Sequence, residues 1–398
     1  MLKIPFFKVN LTDSEVDAVS AVLRSGWLTT GPKTREFESD FSRYMGQVHS
    51  VAVNSCTAAL HLALEAIGIK NGDGVLVPTM TFAASAEVIR YFDARPLMID
   101  CREDDFGIDI AHAELVLHRA KAAGQKVSAI IAVHYGGQIC DVVAIRRLAK
   151  RHDLRVIEDA AHCCPAYFRE SDEMPWKMVG AGADVCCHSF YANKTITTGE
   201  GGMACTSQDA LADRMRIMSL HGISKDAWNR FTSEGSWYYE ITAPGFKYNL
   251  TDIASALGVE QLRKADQFWQ MRTKVAECYS QMLADVDEII LPTVRPNRIH
   301  SWHLYVIRLR LDRLAIDRAA FIKHLKDAGI GCSVHWMPLH LHPYYREKYG
   351  YRPEDFPVAT RLYEEIISLP IYPALTEEDV AYVSGEIKRI VANHHRSQ

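Results

Sequence analysis

Along the first two-thirds of the chain, short apolar runs alternate with stretches of helical spacing. The runs GVLVP (74–78), PLMID (96–100), SAIIAVH (128–134), LRVIED (154–159) and DVCCHSF (184–190) predict strands. None keeps the strict apolar–polar alternation of a sheet with one wet face, so burial on both faces is expected. Strands alternating with helices predict an α/β fold, a mostly parallel central sheet covered by helices, with ligands at the loops that follow the strands. The first helix is announced by Thr12 and Glu15 at capping-box spacing, runs through Val16, Val19, Val22 and Leu23, and stops at Gly26. The next segment, GWLTTGPK, reads as loop.

YNLTDIASALGVEQL (248–262) has helical spacing and leads into a second unit. There HLYVIRLRL (303–311) predicts a strand, AAFIKHLKDAG (319–329) a helix ending near Gly329, and EEDVAYVSGEIKRIVA (377–392) a closing helix. The division is placed at residue 255, giving a large domain (1–255) and a smaller C-terminal α/β domain (256–398).

Composition then removes whole classes of function. The 398 residues are 48% hydrophobic and 24% charged, which excludes disordered and fibrous chains. The 45 Lys and Arg against 49 Asp and Glu leave a net charge of −4, too weak a balance to favour nucleic acid or an anionic membrane. The basic run Arg146, Arg147, Lys150 and Arg151 reads as a solvated helix face. MLKIPFFKVN lacks the apolar centre of a signal peptide, and no apolar run approaches the roughly 18 residues of a membrane span, so a soluble, untargeted protein is expected. Ten cysteines without any C-x-x-C argue against zinc or a redox pair and for a reducing cytoplasm.

Candidate chemistry lies in four stretches: NSCTAALHLAL, TFAAS, VIEDAAH and HSFYANKTITTGEGG. Thr57 and Ala58 open a helix whose N–H groups and dipole suit a phosphate. Phe82, after a strand, offers a flat face to an aromatic ligand. Glu158, Asp159 and His162 stand at the carboxyl end of a buried strand, where an Asp can keep a pyridine nitrogen protonated. Ser189 offers a hydroxyl, and Lys194, desolvated beside a strand end, is a candidate Schiff-base amine. Singly, each has a plainer reading: a capped helix, a core phenylalanine, an N-cap aspartate, a core-edge histidine, a solvated lysine. In VHWMPLHLHPYY, His335, His340 and His342 lack the carboxylate or cysteine company of a metal site. No metal is expected, and His335 is assigned to the substrate cleft.

Together these blocks, with GWLTTGP, APGFKYNLTDIASALGVEQL, HSWHLYVIRL and SLPIYPALTEEDV, follow one order and spacing over nearly the whole chain. In this the sequence resembles the DegT/StrS-type sugar aminotransferases, pyridoxal 5'-phosphate (PLP) enzymes of fold type I. The resemblance implies that Lys194 carries PLP as a Schiff base, Asp159 pairs with its ring nitrogen, Phe82 stacks on the ring and His162 approaches the ring hydroxyl. It further implies that Ser189, Thr57 and the Ala58 amide hold the phosphate, with Asn249 reaching it from the other subunit of a homodimer with shared active sites. Lys194, Asp159 and His162 are the expected catalytic residues, and Thr30, in GWLTTGP, joins His335 in substrate binding. Related dehydratases carry histidine at the lysine position, so Lys194 argues for transamination. The amino donor implied is glutamate. The acceptor implied is a nucleotide-linked 4-keto-6-deoxy sugar, because NKTITTGEGGM and HGISKDAW resemble C4 aminotransferases. Amination at C3 or of a cyclitol ketone is the alternative, and a PLP-binding regulator without turnover the more distant one.

Overall fold

The computed structural model describes residues 3–223 and 239–396, so all but the first three residues of HGISKDAW lie outside the described residues. Helix α1 (Asp13–Ser25) starts where Thr12 donates its N–H to Glu15 Oε2 (2.9 Å) and ends at Gly26, whose φ of +75° suits a residue without Cβ. Helix α2 (Pro32–Met45) opens on proline and buries Phe37, Phe41 and Met45. The strands that follow are β1 (His49–Val53), β2 (Gly74–Pro78), β3 (Arg95–Ile99), β4 (Val127–Val133), β5 (Arg155–Asp159), the short β6 (Tyr167–Phe168) and β7 (Lys177–Met178), β8 (Val185–Ser189) and β9 (Gly202–Thr206). Helices α3 (Cys56–Ala66), α4 (Ala84–Arg90), α5 (Ile110–Ala122), α6 (Val142–His152) and α7 (Asp209–Ser219) complete this part.

Seven of these strands form one sheet in the order β1-β9-β8-β5-β4-β2-β3. Only β9 runs against its neighbours, so the sheet is mostly parallel, as expected. Successive side chains alternate between two apolar layers: in β4, Ile130 joins the layer of Phe37, Ile145 and Leu148, while Ile131 joins that of Leu60, Leu64 and Val88. Burying such a side chain contributes roughly 1.5–3 kcal/mol, which accounts for runs in which both faces are apolar.

The rest of the chain comprises α8 (Asp252–Arg263), α9 (Ala265–Met282), β10 (Ile289–Ile290), β11 (Arg298–Ile299), β12 (Tyr305–Leu309), α10 (Arg318–Asp327), α11 (Pro343–Tyr349), α12 (Pro357–Glu365), β13 (Ile366–Leu369) and α13 (Glu377–His394). An antiparallel sheet β10-β12-β13 packs with α9, α10 and α13 around Tyr279, Ile307, Phe321 and Ile387. The α8 residues Val259 and Leu262 share a core with Phe37, whereas α9 from Val275 onward belongs to this third core. The chain therefore passes from one core to the other within α9.

Two distant motifs are joined at the start of α2. Gly31, its N-cap, has no side chain to offer; a Cβ there would lie 2.0 Å from Trp27 Nε1. The missing cap is supplied by Asp252, which accepts from the N–H groups of Gly31 (2.7 Å), Lys33 (3.1 Å) and Thr34 (2.9 Å) and from Thr34 Oγ1 (2.8 Å).

Candidate active site

A cavity of about 400 Å³ opens at the carboxyl ends of β1, β2, β4, β5 and β8, where the loops of an open α/β sheet diverge. Asp159, Lys194, His162, Thr57, Phe82, Ser189 and His335 all line it. These seven sequence-predicted residues thus converge from strand ends and loops as far apart in the chain as Thr57 and His335.

Pleating decides which acid of the EDAAH motif serves the cavity. Asp159 turns toward it, accepting from Ser85 Oγ (2.7 Å) and from the Ala161 N–H (3.1 Å). Burial raises its pKa above the ordinary 3.8, although both hydrogen bonds and the positive charge of Lys194 oppose that rise. Two hydrogen bonds thus leave Asp159 in need of a cation. Glu158 points to the opposite side of the sheet and meets His134 Nε2 (3.1 Å), Arg146 (2.8 Å) and the Gly180 N–H (2.9 Å). Burial alone would lift its pKa, but His134 and Arg146 hold it near about 2, and its role is structural.

Lys194 sits in the closed loop after β8, where its N–H donates to Tyr191 C=O (2.9 Å) and Thr198 N–H returns to Phe190 C=O (2.9 Å). Desolvation lowers its pKa from 10.5 to about 8, which frees the amine near neutral pH. The loop returns through Gly202, where a Cβ would lie 2.4–2.6 Å from the backbone of Ser55 and Cys56. Only glycine lets β9 lie against the start of α3.

That helix start forms one end of the cavity. Ser55 is the N-cap and accepts the Ala58 N–H (3.1 Å). Ala58 is buried and does not line the cavity; Ser55, Cys56 and Thr57 do, with the first-turn amides that a helix leaves without an internal partner. Phe82, a core residue on its plainer reading, is 59% exposed and presents its ring to the cavity.

His162 accepts the Gly136 N–H at Nδ1 (3.1 Å), and burial drives its pKa well below 6.5. It is therefore the neutral tautomer with a donor at Nε2. Its ring stacks on Trp336 at 5.1 Å. His335 bonds Ser368 Oγ through Nδ1 (2.8 Å), and burial lowers its pKa to about 4. His340 commits both nitrogens, to Thr79 (2.8 Å) and Thr360 (3.0 Å), and lies outside the cavity. Among the described residues no group of three His, Cys, Asp or Glu stands together as a metal site.

Thr30 and Asn249 do not line this cavity but face one another. Asn249 Nδ2 donates to Thr30 Oγ1 (2.7 Å), and Thr30 Oγ1 donates in turn to the Leu250 carbonyl. Ser55, Ser85, His134, His303 and Trp336 escape sequence reasoning. Ser85 carried a signal within TFAAS, a hydroxyl four residues after Thr81, whereas His303 and Trp336 reach the cavity only through tertiary packing.

A family model described as the DegT/DnrJ/EryC1/StrS aminotransferase family matches residues 9–388. The spore coat polysaccharide biosynthesis protein SpsC of Bacillus subtilis is 41% identical over 389 residues, 98% of this chain and 97% of that protein. Among solved structures, Spr1654 of Streptococcus pneumoniae in its PMP-form superposes with a TM-score of 0.90 at 32% identity, covering 98% of this chain and 100% of that one. The sugar aminotransferase CalS13 from Micromonospora echinospora gives 0.82 at 29%, covering 97% and 99%.

Proposed function

The chain belongs to the DegT/DnrJ/EryC1/StrS aminotransferase family, and from that premise we propose that it uses PLP to move an amino group from glutamate to a nucleotide-linked 4-keto-6-deoxy sugar. The observation that carries this reading is the union, in one cavity, of Lys194 with its pKa near 8, a buried Asp159 that needs a cation, and the open face of Phe82.

The residues present fit PLP. Ser55, Thr57 and the first turn of α3, with Ser189, suit its phosphate; Phe82 suits the ring face; Asp159 suits the ring nitrogen; the Nε2 donor of His162 suits the ring hydroxyl. When bound, PLP supplies an electron sink for the carbon that loses its proton. Asp159 keeps the ring nitrogen protonated, aided by Ser85, which orients the carboxylate. Lys194 Nζ, neutral in useful proportion, moves the proton between substrate and cofactor carbons, where a base poised near working pH is most effective. Packing of His162 against Trp336 fixes the ring that approaches the hydroxyl.

The sugar assignment is supported by the polysaccharide-biosynthesis relative and the sugar aminotransferase neighbour. We further infer a homodimer in which Thr30 and Asn249, outside their own chain's cavity, complete the site of the partner, and in which Asn249 and the Ala58 turn assist the phosphate. No helix among the described residues is long and apolar enough to cross a membrane. All ten cysteines are thiols, which suits a reducing cytoplasm. The test is product identification by NMR after incubating pyridoxamine-form enzyme with 4-keto and 3-keto nucleotide sugars and a cyclitol ketone. Amine at C4 is expected; exclusive turnover of the 3-keto sugar or the cyclitol would overturn the assignment.

A further inference from the structure

Just before β12 the backbone takes an unusual course. Trp302 is buried with φ of +53°, a region that bulky residues avoid. It is held there from several sides. Ser301 N–H donates to Gly137 C=O (2.8 Å), Leu304 N–H to Gly136 C=O (2.9 Å) and Trp302 N–H to His300 Nδ1 (2.7 Å). The buried guanidinium of Arg272 donates to the carbonyls of Trp302 (3.3 Å) and Ile371 (3.0 Å). A Cβ on Gly137 would lie 3.0 Å from Ser301 Cβ and 3.1 Å from the nitrogens of Trp302 and His303. Backbone strain persists where the surroundings over-determine it, and it gathers at binding sites.

What this turn delivers to the cavity wall is His303. The residue is 4% exposed, its ring centroid lies 4.2 Å from that of His162, and its Nδ1 is buried without a hydrogen-bond partner. His162, by contrast, has its Nδ1 satisfied by Gly136. A polar atom left buried and unpaired on a residue of the cavity wall calls for a partner that the described chain does not supply. A carboxylate only accepts and would serve one tautomer of His303, whereas a hydroxyl donates or accepts and serves both.

We propose that His303 binds a hydroxyl of the amino-group acceptor and thereby determines which sugars the site takes. The inference rests on the sugar-ketone reading above and adds a specificity residue to it. A substrate lacking that hydroxyl leaves Nδ1 unpaired, and sites built to hydrogen-bond a hydroxyl reject such analogues strongly.

The test follows both half-reactions in single turnovers of the holoenzyme. His303→Phe keeps a ring against His162 but has no ring nitrogen; it should raise KM for the sugar ketone at least about tenfold, with kcat and the glutamate half-reaction within about threefold. Calorimetry with the amino-sugar product should show the same loss of affinity. His303→Asn places a polar atom near the Nδ1 position and should recover most of the affinity, whereas His303→Gln, with its polar atom near the Nε2 position, should not; this pair carries the test if the Phe variant does not fold. Among monodeoxy acceptors, wild type should reject one that His303→Phe accepts as well as its natural acceptor. An unchanged acceptor KM, equal losses in both half-reactions, or equal behaviour of Asn and Gln would overturn the inference. A wild-type enzyme that exchanges its amino group with glutamate yet ignores every sugar ketone would overturn the functional reading, and this inference with it.

Discussion

Replacing Asp159 by Asn should make the cofactor-free protein more stable and the enzyme far slower. Burial raises the pKa of Asp159 above its unfolded value despite the bonds from Ser85 and Ala161. A group whose folded pKa is raised stabilises the fold below its unfolded pKa, and that contribution is lost as pH climbs through the folded value. Once ionised, the carboxylate is thus a net burden on the cofactor-free fold. Asparagine has the same shape: its Oδ1 accepts the Ala161 N–H, and its Nδ2 donates to Ser85 Oγ, whose own proton turns to Thr81 Oγ1 at 2.8 Å. The buried charge goes and no hydrogen bond is lost. Relieving a functional site of this kind is worth about 1 kcal/mol, a rise in Tm of roughly 1 °C for a chain of this size. Losing one preorganised charge at the reacting group should slow the glutamate half-reaction roughly 10²–10³-fold. Thermal melts of both cofactor-free proteins should show the gap widening as pH rises from the ordinary carboxylate value of 3.8 and levelling once the raised folded value is passed, and stopped-flow single turnovers measure the rate. A variant that melts below wild type throughout, or reacts within threefold of it, would refute the reasoning.

Borohydride reduction of the holoenzyme followed by peptide mapping should place the pyridoxyl label on Lys194. In the cofactor-free protein this amine should titrate near about 8 rather than 10.5, as read from the pH dependence of amine labelling; because the folded value is the lower one, wild-type stability should gain with pH between these limits relative to Lys194→Met. Mixing inactive Lys194→Ala with crippled Asn249→Ala subunits should restore roughly a quarter of wild-type activity if the two residues serve one site across a two-fold axis, and no rescue, with exchange confirmed by mass spectrometry, would refute that arrangement. Gly202→Ala sets a methyl within 2.4–2.6 Å of the Ser55–Cys56 backbone, so denaturant titration should show a loss of about 1–3 kcal/mol and cofactor titration a weakened phosphate grip.

Hydrophobic patterning located β2 to its exact ends and β3, β4, β5 and β8 to within a residue at each end, because strands buried on both faces leave continuous apolar runs. It passed over β1 and β9: HSVAV and GMACT, though as long as β2, are built largely from small residues, and β9 is absorbed into a glycine turn. Within the cavity, residue type and strand-end position were enough to bring Lys194, Asp159 and His162 to attention. They could not separate Glu158 from Asp159, since that choice is made by the pleat of β5 and the waiting partners His134 and Arg146. Nor could they see that Ser55 takes the Ala58 N–H, or that Phe82 stays uncovered, because both depend on what the rest of the chain brings alongside.

The cap that Asp252 places on α2 also sets a timetable for synthesis. Thr34 and Asp252 are 218 residues apart, an interval of about 10–40 s at 5–20 residues per second on the ribosome. Until α8 emerges, the first turn of α2 lacks its acceptor and the apolar stripe of Phe37, Phe41 and Met45 has no Val259 or Leu262 to cover it. The nascent chain therefore carries a helix whose first turn stays uncapped until residue 252 has been made. Messages broken before codon 252 yield chains in which that helix can never be completed.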